Sequence, residues 1–163
     1  MRVQTRASVD VSASPERVFD LVVDSRGVPE FFRSWGPIPG VLDCEDWVAR
    51  GDARPRRKLK LSDGSTHEEE LLEQERPHKY HYHWLKPPPM PLNLIVRTAE
   101  ARWAFQPLQA GAHTHLCLTY DFELSVPFAY PFALGLRALF NRWMVAALER
   151  VQASLDVTRA KAP

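Results

Sequence analysis

Arg57 and Glu69 stand on either side of Asp63-Gly64, a dipeptide that is a strong hairpin signal. Arg57 alternates with Leu59 and Leu61, and Glu69 with Leu71, so each charge shares a strand face with apolar residues. A charge on such a face must be paired, and the hairpin offers each of these two the other. The pair reads as a structural or rim salt bridge, or as a polar anchor whose guanidinium fork holds a ligand carboxylate or carbonyl. Tyr82 and Tyr120 are the next candidates. Both have inward parity on their strands, and a buried phenol needs a partner, which a ligand oxygen can supply.

Histidine suggests a second chemistry. His81 and His83 share one strand face, and His113 and His115 share another. A further strand lies between the two, which separates them by about 10 Å at ~4.8 Å per strand. Zinc needs its donors within about 2.1 Å of one point, so no metal site is expected. The four imidazoles read as a wet outer face, with His81 or His83 as a general base the sharper alternative. Cys44 and Cys117 match no metal or redox spacing and read as buried or half-buried thiols in a reducing compartment. The chain has no G-x-S-x-G, P-loop, GxGxxG or CxxC pattern, so nucleophilic and nucleotide chemistry lack support and no cofactor is expected.

The basic run Arg54, Arg56, Arg57, Lys58 and Lys60 faces Glu68, Glu69, Glu70, Glu73 and Glu75 on its hairpin partner. Cross-strand pairing neutralises that patch, and the net charge is only +1. Nucleic acid is therefore not an expected partner. The longest apolar stretch, Val126 to Leu139, is broken by Pro127 and Pro131 and is shorter than the ~20 residues of a membrane span. No stable membrane insertion is expected. Met1 to Thr5 passes straight into alternation without an apolar h-region. One cytoplasmic domain over residues 1–163, as a monomer or homodimer, is the expectation.

The elements that would position these residues follow a simple order. Val3 to Val11 alternates as a half-buried strand. Ser14, Pro15 and Glu16 make an N-cap, a first-turn proline and a dipole-matched acid, with Val18, Phe19, Val22 and Val23 as the helix's apolar face. A short helix begins at Pro29 and carries Phe31 and Phe32. Strands are expected over 40–47, 54–61, 66–75, 80–85, 94–107 and 113–124. The loops Gly36–Gly40 and Lys86–Leu92 are rich in proline, and Pro87-Pro88-Pro89 is a rigid turn. A long helix runs from about Pro131 to about Thr158, with a stripe of Phe132, Leu136, Phe140, Trp143, Ala147, Val151 and Leu155. A long helix after an antiparallel meander must lie across one face of the sheet, and this arrangement can trap a cavity.

This layout resembles the helix-grip fold of the SRPBCC superfamily, which includes START lipid-transfer domains, pollen-allergen-like proteins and polyketide cyclases/dehydrases. The entry Val9-Asp10-Val11-Ser12-Ala13-Ser14-Pro15-Glu16-Arg17-Val18-Phe19 is similar to the superfamily's strand-to-helix start. The runs Arg57…Leu61-Ser62-Asp63-Gly64…Glu69-Glu70-Leu71-Leu72-Glu73 and Trp103…Pro107, Gly111…Thr114…Leu118-Thr119-Tyr120-Asp121-Phe122 look like the hairpin and last strands of the polyketide cyclase branch. The resemblance implies an α+β fold: a curved antiparallel sheet of about seven strands, two short N-terminal helices and one long C-terminal helix over a cavity.

Strand parity places Tyr82, Trp84, Trp103, Phe105, Leu118, Tyr120 and Phe122 inward. The helix supplies Leu136, Phe140, Trp143 and Ala147. With Arg57 and Glu69 these are the candidate ligand-binding residues; Arg97 shares the parity of Ala101 and Trp103. The expected function is binding or transport of a small hydrophobic molecule: a lipid, isoprenoid, aromatic or polyketide. A polyketide cyclase/dehydratase-type enzyme, with Tyr82, Tyr120, Arg57 or a histidine as acid or base, is the alternative. A third possibility is an interaction module with a filled core, in which Val126–Leu139 is a dimer, partner or membrane-docking surface. Internal volume separates these: a ligand site offers about 300 Å³ or more, and a packed core has few voids larger than water.

Overall fold

Alternation near the N-terminus becomes strand β1 (Arg2–Val11), with Val3, Thr5, Ala7 and Val11 buried. Helix α1 (Pro15–Val23) follows. Ser14 is extended and its carbonyl accepts from Val18 N at 3.0 Å, but its hydroxyl makes no capping bond. Pro15 and Glu16 carry the start of the helix instead. A single 3-10 turn, Ser25–Gly27, leads into the short α2 (Val28–Phe31), which buries Val28 and Phe31, with Phe32 buried just beyond it. The computed structural model describes residues 1–88, 92–125 and 130–160.

Six strands follow: β2 (Val41–Cys44), β3 (Arg56–Leu61), β4 (Thr66–Glu75), β5 (Lys79–Trp84), β6 (Val96–Leu108) and β7 (His113–Leu124). All pair antiparallel in one seven-stranded sheet of order β1-β7-β6-β5-β4-β3-β2. The meander is thus continuous from β2 to β7, and the N-terminal strand returns beside the last. The expected strand 40–47 is shorter: its ladder runs from Val41 to Cys44 with a register slip between Val41 and Asp43, and beyond it Glu45 N still donates to Lys58 O and Val48 bridges to Arg56. Gly40 precedes it because a Cβ there would run into the backbone nitrogen of Ser34. The hairpin forms as expected, with Gly64 at φ +85°, which glycine adopts without strain.

Further register slips fall between Leu71 and Glu73 in β4 and between Val96 and Thr98 in β6. Such bulges bend a strand and raise its twist, which curls the sheet. The β6 bulge also corrects one expectation. Parity counted back from Trp103 puts Arg97 inside, but the slip shifts it by one residue. Val96 and Ala99 are buried instead, and Arg97 points outward to Glu123 at 3.6 Å.

The long helix α3 (Tyr130–Ala160) lies closest to β1 and also meets β7 and α2. Leu136, Phe140, Trp143, Ala147, Val151 and Leu155 are buried as the stripe requires, but Phe132 is 69% exposed. The helix has 31 residues against ten in β1, about 46 Å against 34 Å. Asn141 and Gln152 lie beside Arg6 and Asp10 of that strand, so most of the excess length falls at the C-terminal end of the helix. Asn141 Nδ2 donates to Arg6 O at 2.7 Å and Gln152 Nε2 to Asp10 O at 3.2 Å. These two contacts cover the free edge of β1, which would otherwise offer a template for further strands. No helix among the described residues is long and apolar enough to cross a membrane.

A candidate ligand cavity between sheet and helix

The concave face of the sheet has two ends that differ in one strand. On β6 the inward residues run Ala99, Ala101, Trp103, Phe105, all buried. Tyr82 and Tyr120 sit on either side of Ala101 in register. Alanine leaves room above it, so rings from β5 and β7 meet across the intervening strand. The Tyr82 and Tyr120 hydroxyls are 3.4 Å apart, and Trp84 lies 5.9 Å from the Tyr120 ring and 6.1 Å from Phe122. Further along, Trp103 and Phe105 fill that room themselves, against Phe32 of the α2 end at 6.1 Å and Phe19 of α1 at 5.1 Å.

The cavity lies at the alanine end. Its walls are Val28, Phe32, Ile38, Pro39 and Val41; Arg57, Leu59 and Leu61 of β3; His67 and Glu69 of β4; Tyr82, Trp84, Pro88, Leu92 and Tyr120; and Phe140 and Trp143 of α3. The space between these walls measures about 620 Å³ with its mouth counted, but the part in which the centre of a water molecule can move is about 70 Å³. The cavity is a narrow slot lined by rings, wider than a packing void.

Among the described residues it has one ion pair, on the β3–β4 wall. Arg57 and Glu69 face each other in register. Nε of Arg57 donates to Glu69 Oε2 at 2.8 Å and Nη2 approaches the same oxygen at 2.7 Å, with both side chains almost fully buried. The guanidinium lies 4.4 Å from the Trp47 ring and 5.2 Å from that of Tyr82. Trp47 is held in turn by its indole N–H, which donates to Tyr80 Oη at 2.9 Å. Glu69 and two aromatic faces thus fix the group, and among the described residues Nη1 has no hydrogen-bond partner. Burial opposes the charge on Arg57, but Glu69 outweighs it and keeps the guanidinium's pKa raised.

One rung along, Leu59 pairs with His67. His67 is buried, stands edge-on to Trp84 at 4.8 Å, and its Nε2 has no partner among the described residues. Burial holds its pKa low, so the imidazole is neutral near neutral pH. Burial pushes the phenols of Tyr80, Tyr82 and Tyr120 up, and raises the half-buried Cys44 thiol to about 11. Apart from the ion pair, these groups are uncharged.

The structure brings seven of the candidate residues to the cavity wall: Arg57, Glu69, Tyr82, Trp84, Tyr120, Phe140 and Trp143. Trp103, Phe105, Leu118, Phe122, Leu136 and Ala147 are buried but are not on that wall. Both proline-rich loops contribute, through Ile38 and Pro39 and through Pro88 and Leu92; Pro89, Met90 and Pro91 lie outside the described residues, as does the 126–129 part of the apolar stretch. The sequence reading missed His67, although it shares the parity of Glu69 and Leu71. It also missed Phe32 and Val28, which reach the wall from the turn between α1 and β2. His81 and His83 occupy the other face of β5 from Tyr82 and Trp84, near Glu100 at 3.6 Å and Glu70 at 4.0 Å, so neither reaches the cavity as a base. The basic strand is neutralised by its partner: Arg56 Nε meets Glu70 at 2.9 Å, and Lys58 lies opposite Glu68.

A seven-stranded sheet gripping one long helix around an apolar slot defines a helix-grip protein. The chain belongs to the polyketide cyclase / dehydrase and lipid transport family, whose model matches residues 2–156. Among solved structures it is similar to an aromatase/cyclase from a Streptomyces species, at 20% identity and TM-score 0.69 over 99% of this chain and 98% of that one. A START superfamily protein from Mycobacterium smegmatis matches at 18% identity and TM-score 0.68, over 93% and 98%. A protein from Thermus thermophilus matches at 23% identity and TM-score 0.66, over 98% and 100%. No curated protein matches the chain.

Proposed function

We propose that this chain binds or carries a small, mostly apolar molecule in the slot between sheet and α3, with one oxygen of that molecule on Arg57. The observation that carries this reading is Nη1 of a buried guanidinium, which has no partner among the described residues, in a wall made mostly of rings and aliphatic side chains. A buried donor without a partner costs about 1–3 kcal/mol, and a ligand oxygen removes that cost. Glu69 already occupies Nε and Nη2, so the ligand meets one donor rather than the fork. The slot is narrower than the ~300 Å³ of a ligand site, so binding requires the ring walls to part, with Phe140 and Trp143 on α3 moving against Trp84 and Tyr120. A filled interaction module fits less well, because an arginine donor would then stay unpaired in its core.

Native mass spectrometry of the purified protein, followed by organic extraction, tests the proposal. A stoichiometric apolar molecule supports it. An empty protein whose melting temperature no apolar compound raises would overturn it, since a true ligand at 100 Kd adds ~2.7 kcal/mol.

The likeness to an aromatase/cyclase favours a second reading, an enzyme that folds a polyketide chain for cyclisation or dehydration. Here the slot supplies orientation, and the paired hydroxyls of Tyr82 and Tyr120 supply a proton donor. Tyr82→Phe separates the two readings. A carrier keeps its ligand affinity within a few-fold, whereas an enzyme loses turnover by about 10²-fold or more.

A further inference from the structure

Two polar atoms of the cavity wall lack partners among the described residues: Arg57 Nη1 and His67 Nε2. Both side chains are more than nine-tenths buried, and both line the slot. They stand on adjacent inward rungs of one hairpin, Arg57 opposite Glu69 and Leu59 opposite His67. Rungs two residues apart are about 7 Å apart along a strand. Native interiors leave few buried polar atoms unpaired, and two on one apolar wall, at a fixed spacing, form a pattern that a ligand can complete.

The chemistry of the two atoms restricts that ligand. Arg57 already has a counter-ion in Glu69, so the wall as a whole carries no net charge. A carboxylate ligand at Nη1 would leave a net negative charge in a slot of rings and leucines, beside Glu69. A neutral carbonyl accepts the same N–H without that penalty. At His67 one tautomer of the neutral imidazole donates through Nε2 and the other accepts. A hydroxyl serves either, because it both donates and accepts. The Trp84 ring, edge-on to the imidazole at 4.8 Å, fixes the ring plane and thereby the direction of Nε2.

We propose that His67 is a second polar contact for the occupant of the slot, and that this occupant is an uncharged apolar molecule with a carbonyl for Arg57 and a hydroxyl for His67 on one edge. The proposal rests on the cavity reading above and adds the charge state and the second oxygen. It gives β4 a role that the Arg57–Glu69 pair alone does not: His67 reads how far along the ligand the second oxygen lies.

Titrations followed by tryptophan fluorescence test it, since Trp84 and Trp143 are in the wall. The probes are 2-decanone, 6-hydroxy-2-decanone and decanoate. With the unaltered protein the hydroxyketone should bind about tenfold more tightly than the ketone, the value of one good hydrogen bond, and decanoate should bind more weakly than either. In His67→Phe the hydroxyketone should lose its advantage while the ketone binds as before, and His67→Gln, which keeps a hydrogen-bonding end, should retain part of it. Equal binding of ketone and hydroxyketone, an advantage that survives His67→Phe, or decanoate as the tightest probe would each overturn the inference and leave the cavity reading standing. Failure of all three probes to bind would also overturn the inference, and the cavity reading would then stand or fall on the mass spectrometry and thermal shifts. The comparison on the unaltered protein decides the matter even where His67→Phe does not fold.

Discussion

The two ends of the concave face are made from the same sheet and the same helix, yet one is solid and the other hollow. At the solid end Trp103 and Phe105 of β6 meet Phe32 and Phe19. At the hollow end β6 carries Ala99 and Ala101, and the rings that close over them come from β5 and β7. Inward parity is identical at both. The difference lies in side-chain volume on the central strand and in where α1 plugs the sandwich, with Phe32 standing between Trp103 and the slot. It follows that a residue's facing inward says little about whether it meets a ligand; the size of its neighbour two places along the central strand says more.

The same truncation at each end gives the largest contrast. Phe105→Ala should cost about 3–5 kcal/mol, because it opens a void in tight packing. Phe140→Ala removes a ring that already borders the slot, and its neighbours Phe122 at 4.7 Å and Trp143 at 5.5 Å have space to move into. Its cost should be lower by about 1 kcal/mol or more. Urea unfolding of the two variants measures this, and equal losses would mean that both ends are packed alike.

Glu69→Gln attacks the hollow end through charge. It leaves the Arg57 guanidinium buried, between Trp47 and Tyr82, without a counter-ion. Losing one partner of a buried pair costs about 3–5 kcal/mol. The double variant Glu69→Gln with Arg57→Met should recover most of that loss, because no charge then remains in the wall. A double variant no more stable than Glu69→Gln alone would show that the cost does not come from the stranded charge.

The uneven legibility of the chain has the same origin. Strand order, the Asp63-Gly64 hairpin, the Arg57–Glu69 pair and the buried stripe of α3 from Leu136 to Leu155 were readable, because period and turn chemistry are local. Arg97 was misplaced because a one-residue bulge at Val96–Thr98 leaves no mark in an alternating pattern. Phe132 was misplaced because periodicity does not say whether another element covers the stripe at that turn. His67 was legible in principle: counting by twos from Glu69 reaches it. Phe32 and Val28 were not, because their place on the wall depends on how α2 folds over the sheet.

Acid should weaken the hollow end by a smaller amount. Burial holds His67 below its ordinary value of 6.5, so the unfolded chain takes up a proton that the folded chain resists. Stability from this group is present above about pH 6.5 and falls as pH drops through it. His81, held low first by burial and then by Arg102, acts in the same direction. Unfolding free energies at pH 7.5 and 5.5 should therefore differ, and His67→Phe should shrink the difference without abolishing it. An unchanged difference would mean that His67 takes up its proton as readily in the folded chain as in the unfolded one.

The smallest effect belongs to the pair that looks most like Arg57 and Glu69. Arg56 and Glu70 are the adjacent residues on the same two strands, in register, with an Nε–Oε2 distance of 2.9 Å. They point to the other face, where the Arg56 side chain is 59% exposed. Water screens this pair and stays available to either partner when the other is lost. Glu70→Gln should accordingly cost about 0.2–1 kcal/mol, and the cost should shrink further in 1 M salt, where the screening length is about 3 Å. Glu69→Gln should barely respond to salt. The hairpin thus holds its own control, since residue types and register are matched, while Arg57 is buried with two nitrogens on Glu69 and Arg56 is exposed with one on Glu70. A Glu70→Gln loss as large as that of Glu69→Gln would mean that hairpin pairing in general, and not the buried charge at the cavity wall, sets the cost.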